Sequence, residues 1–188
     1  MKDIAERALN QAQLAGATYA DVRVVTHRSE VISVKNGNVE ALARRTDEGF
    51  GVRAIVNGAW GFASSNQLTA AEAARVAKLA VAIAKASAAA KKADVRLSSL
   101  EAITATYQTP MRKDPLAVSL EDKLALLLAA DEAMRRVKGL TVAESSLEAA
   151  VQDKLFASTQ GSRIEQRIVT CGAGIEATAV GEGEVQTR

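Results

Sequence analysis

Few side chains in this chain have the chemistry for catalysis or metal binding. Among 188 residues there is one histidine, His27, and one cysteine, Cys171. A metal centre gathers three or four ligands from histidine, cysteine and carboxylates, so this pair alone cannot build one. His27, in "VVTHRSE", reads as a strand-end residue with a solvated or capping role. Cys171, in "VTCGAG", has small neighbours and no local histidine, so it reads as a space-filling thiol rather than a nucleophile. The glycine pair Gly49 and Gly51, in "RRTDEGFGVRAIVNGAWGFASSN", begins a phosphate-loop pattern. Such a loop needs a third glycine and a helix amino end whose free N–H groups receive the anion. Here an Asn-Gly turn and more strand-like sequence follow, so the glycines read as turn and close-packing residues.

The charged pairs point the same way. Asp47-Glu48 and Glu182/Glu184 have the close spacing of solvated carboxylates at turns, whereas acid–base hydrolysis requires two carboxylates facing one cleft from fixed elements. Arg44-Arg45 and Arg135-Arg136 alternate faces instead of forming a patch. With 24 Lys and Arg against 22 Asp and Glu, the formal charge is only +2, and aromatic residues are scarce. No field or stacking platform invites nucleic acid. On this reading the chain holds no catalytic, cofactor-binding or metal-binding residue.

The elements around these residues are more legible. Ile4, Ala5, Ala8, Leu9 and Ala12 recur at helical spacing, predicting a helix over residues 3–15 that Gly16 stops. From Asp21 the period becomes two, and five strands are expected: "DVRVVTHR", "EVISVK", "NVEALARR", "FGVRAIV" and "AWGFAS". Asn36-Gly37 and Asn57-Gly58 are type I′ hairpin signals. Two-residue turns there would set Val34 opposite Val39 and Ile32 opposite Ala41, then Ile55 opposite Trp60 and Ala54 opposite Gly61. The second hairpin is apolar on both faces, so helices cover one, while the side holding Ile55, Trp60 and Phe62 meets a core, another domain or a partner.

Thr69 and Glu72 have capping-box spacing ahead of a helix running to about Ala90, with Val76, Leu79, Ala80 and Ile83 as its stripe. Residues 91–118 form a connector containing a strand, "AITATYQ". Ser119 and Asp122 open another helix, carrying Leu120, Leu124, Leu127, Leu128, Met134 and Val137, that stops at Gly139. The remainder reads as three antiparallel strands, with Gln160-Gly161 turning between the second and third. The fold class is therefore α+β, an antiparallel meander packed by helices (1–95), followed by a second, smaller α+β unit with antiparallel strands (96–188). The lone cysteine suggests a reducing, cytoplasmic setting, and the charged amino end and Lys-interrupted alanine run predict neither signal peptide nor membrane span. The carboxy end, "GIEATAVGEGEVQTR", reads as a strand leading into further chain.

Four segments carry a resemblance: "SVKNGNVEALARRTDEGFGVRAIVNGAWGFASSNQLTAAEAA" (33–74), "DPLAVSLEDKLALLLAADEA" (114–133), "FASTQGSRIEQ" (156–166) and "GEGEVQTR" (181–188). Together they closely resemble the amino-terminal portion of the TldD/PmbA family, named for modulation of DNA gyrase, and the three later segments look more like the TldD branch than its PmbA/TldE partner branch. The resemblance implies a zinc metallopeptidase. Its members place H-E-x-x-x-H and a later cysteine in a carboxy-terminal domain, where imidazoles hold zinc and the glutamate handles protons. No such segment occurs in residues 1–188, and neither His27 nor Cys171 matches it. The implied reading is an amino-terminal fragment of a TldD-like peptidase, inactive alone, with zinc in the missing domain. It also implies a homodimer or a heterodimer with a PmbA/TldE-like paralogue that admits unfolded or extended peptides. A gyrase link would act through proteolysis of a protein regulator, without DNA contact. A non-catalytic protein-binding or assembly module is the alternative.

Overall fold

The computed structural model describes residues 1–98 and 101–188; Ser99 and Leu100, inside the connector read from sequence, lie outside the described residues. The elements run α1 (Lys2–Leu14), β1 (Tyr19–Lys35), β2 (Asn38–Val56), β3 (Ala59–Ser65), α2 (Ala70–Ala88) and β4 (Thr104–Gln108). A 3₁₀ turn (Pro115–Ala117), α3 (Leu120–Arg135), β5 (Leu140–Ser158), β6 (Arg163–Gly181) and β7 (Glu184–Thr187) follow. The fold is α+β, with strand order β3-β2-β1-β5-β6-β4 and β7 on β6. Pairing is antiparallel except at β4, which runs parallel to β6, with Thr104 opposite Arg163. Hydrophobic pattern alone could not reveal that pairing, because it is set by a partner about sixty residues away.

The five strands expected before α2 are three. No glycine or proline interrupts Arg28-Ser29-Glu30, and Thr46-Asp47-Glu48-Gly49 stays extended, so the first two segments fuse into β1 and the next two into β2. Both Asn-Gly pairs do turn, with φ of 49° and 81° at Asn36-Gly37 and 48° and 72° at Asn57-Gly58, left-handed values that this dipeptide tolerates. The second hairpin has the expected register, Ile55 opposite Trp60 and Ala54 opposite Gly61. The carboxy-terminal segment is three strands, but Gln160-Gly161 turns between the first and second of them. Glu182-Gly183, also left-handed, makes the second turn.

Compactness divides the chain into two units, each drawing on three separated stretches: 1–26, 47–108 and 152–168 for the first, 27–46, 109–151 and 169–188 for the second. In the first, α1 and α2 cover one sheet face. Their buried Ala5, Ala8, Ala12, Ala73, Val76, Ala77 and Ala80 pack with Val22, Val24, Val52, Ala54 and Leu155. Thr69 caps α2 by accepting from the Glu72 N–H at 3.2 Å. The apolar stripe of α2 differs from the sequence reading. A Cβ on Gly61 would stand 2.0 Å from the Ala80 carbonyl and 2.4 Å from the Ala84 nitrogen, so the helix backbone lies directly on β3. So close an approach admits only alanines and valines, and it turns Leu79 and Ile83 outward.

In the second unit α3 is capped by Ser119, which accepts from the Asp122 N–H at 3.1 Å. Its core is small: Ile32, Val34, Leu127, Leu147 and Ala149, flanked by Leu116, Leu120 and Leu124. Two charged residues of α3, Lys123 and Asp131, are buried with it, while Leu128 and Val137, expected inside, are exposed.

Candidate functional site

The sequence-selected residues do not converge. Gly49 and Gly51 lie within β2, and strand rather than helix follows them directly. His27 is inside β1 rather than at a strand end, because the two segments around it fuse; it is half-buried, and its Nδ1 has no hydrogen-bond partner among the described residues. Cys171 is exposed on β6, beside a shallow cavity shared with Val31, Ser146 and Glu148, so it fills no core space. Asp47 and Glu48 are exposed in extended β2, and Glu182 and Glu184 are exposed around the last turn. Arg44 and the Arg135-Arg136 pair serve separate carboxylates: Arg44 binds Glu30, Arg135 binds Asp131 at 2.6 Å, and Arg136 binds Glu132 at 2.7 Å. Among the described residues no group of three His, Cys, Asp or Glu side chains could hold a metal. His27 and Cys171 therefore do not fit the zinc that the resemblance implies.

Two buried carboxylates on β1 organise the charges instead. In the first unit, the period of two places Tyr19, Asp21 and Arg23 on one face of β1. Asp21 is fully buried. It accepts from Arg53 Nη2 at 2.7 Å and Nε at 3.0 Å, and from Arg23 Nη1 at 2.7 Å. Each guanidinium also lies over a ring, Arg53 at 5.0 Å from Trp60 and Arg23 at 4.9 Å from Phe156, where the ring quadrupole attracts the cation. Tyr19 meets Trp60 edge-on, with centroids 5.9 Å apart. Burial, reinforced by the charge and hydrogen bond of Asp21, pushes the Tyr19 phenol up to about 12. Phe62 follows at the open edge, 56% exposed.

This is the expected two-sided hairpin. Its aromatic face is a partly exposed layer of rings and arginines, not a closed core. Sequence reasoning noticed Trp60 and Phe62 and missed Asp21, although Tyr-x-Asp-x-Arg at strand period was the available signal.

In the second unit Glu30 is buried and accepts from Lys123 Nζ and Arg44 Nε. Burial alone would raise its pKa, but the hydrogen bonds from Lys123 and Arg44, with their charges, outweigh it and hold the carboxyl below the ordinary glutamate range. Lys123 is only 3% exposed, so the pair ties α3 to the sheet within this unit. No sequence signal distinguishes Lys123 from the solvated lysines of other helices.

Comparison with known proteins places this geometry in context. Residues 20–84 match PmbA/TldA metallopeptidase domain 1, and residues 113–188 match the PmbA/TldA metallopeptidase central domain. A metalloprotease from Methanocaldococcus jannaschii is 26% identical over 170 residues, which cover 89% of this chain and 37% of that protein. A candidate modulator of DNA gyrase from Bacteroides thetaiotaomicron shares the fold at a TM-score of 0.77 and 17% identity, over 99% of this chain and 43% of its own. A second, from Thermotoga maritima, gives 0.74 and 12%, over 99% and 41%. TldE from Thermococcus kodakarensis gives 0.65 and 14%, over 96% and 40%. The chain spans about two-fifths of the length of these relatives.

Proposed function

Because this chain belongs to the PmbA/TldD metallopeptidase family, we propose that it forms the amino-terminal part of a TldD-like, zinc-dependent peptidase acting on unfolded or extended peptides. The observation that carries the reading is the succession of domain 1 and central domain in a chain that aligns with 37% of a metalloprotease. Zinc and its histidine pair are assigned to a region outside residues 1–188, and this part shapes substrate access and assembly.

The partner is a second copy or a PmbA/TldE-like paralogue, a reading supported by the fold shared with TldE. The location is cytoplasmic and the protein contacts no DNA directly. Among the described residues no helix is long and apolar enough to cross a membrane. The seam between the two family segments is proposed near residue 95, within the unmatched stretch 85–112.

The test measures bound zinc and hydrolysis of an unfolded peptide by the longer protein, by the same protein lacking residues 1–188, and by the 188-residue chain alone. Chelator-sensitive turnover confined to the longer protein is expected. Undiminished turnover after the deletion rejects the access role. Absence of zinc and turnover throughout leaves a non-catalytic assembly module.

A further inference from the structure

β3 is an edge strand. In a two-residue hairpin the residues flanking the turn, Val56 and Ala59, form a hydrogen-bonded pair, and such pairs then alternate along the ladder. From the observed register, Ala59, Gly61 and Ala63 turn their backbone groups toward β2. Trp60, Phe62 and Ser64 turn theirs outward. Among the described residues nothing is bonded to those outward groups.

Edges of this kind are ordinarily blunted by a charge, a proline, a bulge or a covering element. The sequence of β3, "AWGFASS", has no charge and no proline. Its surroundings are apolar on both sides: Trp60 and Phe62 on one, and on the other Leu79 and Ile83, 42% and 38% exposed because α2 packs through its alanines. A groove of about 330 Å³ wraps this edge, lined by Arg53, Trp60, Gly61, Phe62 and Ile83.

We propose that the open edge of β3 is a strand-addition site for an extended peptide segment carrying apolar side chains and an acidic residue. Three features select that occupant. Outward N–H and C=O groups on every second residue match an extended backbone and nothing more compact. Side chains of an added strand alternate between faces, meeting Trp60 and Phe62 on one and Leu79 and Ile83 on the other. The Arg53 guanidinium lies over Trp60 and lines the groove, and its side chain stays 41% exposed although it is paired with Asp21, which favours an acidic side chain there. The inference stands apart from the peptidase reading, since it concerns binding and requires no metal.

Trp60 is the only tryptophan, so its emission reports on this edge. The experiment titrates the 188-residue chain with a capped seven-residue peptide of alternating valine and threonine with one central glutamate. Two further versions are N-methylated on one or the other alternate set of residues. A saturable emission change is expected, with one N-methylated version binding normally and the other weakened roughly tenfold or more, because only one set of N–H groups faces β3. Phe62→Lys should weaken binding comparably while leaving the melting temperature in place, since Phe62 is largely exposed. Equal binding of both methylated versions, unimpaired binding by Phe62→Lys, or no saturable change overturns the proposal. So does an emission change that follows protein concentration alone, in step with dimer formation by sedimentation, which assigns the edge to a second copy.

Discussion

Asp21 and Glu30 sit nine residues apart on one strand, both buried and both bonded to two cations, yet they do different things. The cations of Asp21 are guanidiniums that remain 41–45% exposed in their side chains and lie on aromatic rings. They build a surface. One cation of Glu30 is an ammonium as buried as the carboxylate itself, at 3% and 2% exposure. That pair fastens a helix. A buried carboxylate is thus not by itself a sign of catalysis; what matters is whether its partners keep contact with water and with anything water brings.

Removing each carboxylate tests the contrast. Glu30→Gln leaves the Lys123 ammonium buried without its counter-charge, and a loss of about 3–5 kcal/mol is expected in urea unfolding. Asp21→Asn should cost less, about 1–3 kcal/mol, because both guanidiniums can turn to water. Equal losses would break the comparison.

Acid titration sharpens it. The folded pKa of Glu30 is depressed, so its contribution is present above the ordinary glutamate range and disappears as pH falls through the lowered value. Glu30→Gln should therefore lose less stability than the parent between neutral pH and that value.

Smaller effects separate cause from setting. Thr69→Ala and Ser119→Ala each remove an N-cap acceptor and should cost about 1 kcal/mol in either unit. For Tyr19 the folded pKa is raised to about 12, so its stabilisation is complete below the ordinary tyrosine value and fades as pH rises toward 12. Asp21→Asn should lower that value only part of the way, since burial is the larger cause. Phenolate absorbance reads this directly, and a full return to the ordinary value would show that charge dominates.

Local signals in the sequence were good where the physics is local. Asn-Gly turns, the Thr69 and Ser119 caps and the register at Trp60 depend on residues within a few positions of one another. The length of β1 and β2 was less visible, because polar residues such as Ser29 and Asp47 resemble turn residues until neighbouring strands hold them extended. The parallel seat of β4 and the burial of Asp21, Lys123 and Asp131 depend on distant segments, which composition cannot locate. Nor could the stripe of α2 be read correctly, since larger side chains normally face inward and only the approach to Gly61 reverses that order.

The first unit closes on residues that come late in the chain. Leu155 and Ala157 complete its core, and Thr159 exchanges bonds with Ala20, its N–H reaching the Ala20 carbonyl at 2.9 Å and its Oγ1 receiving the Ala20 N–H at 3.0 Å. A chain emerging from the ribosome therefore displays α1 and the first hairpins well before their partner strand exists. With so many contacts between distant residues, folding should be slow. Meanwhile the uncharged edge at Trp60 and Phe62 stands open to neighbouring nascent chains.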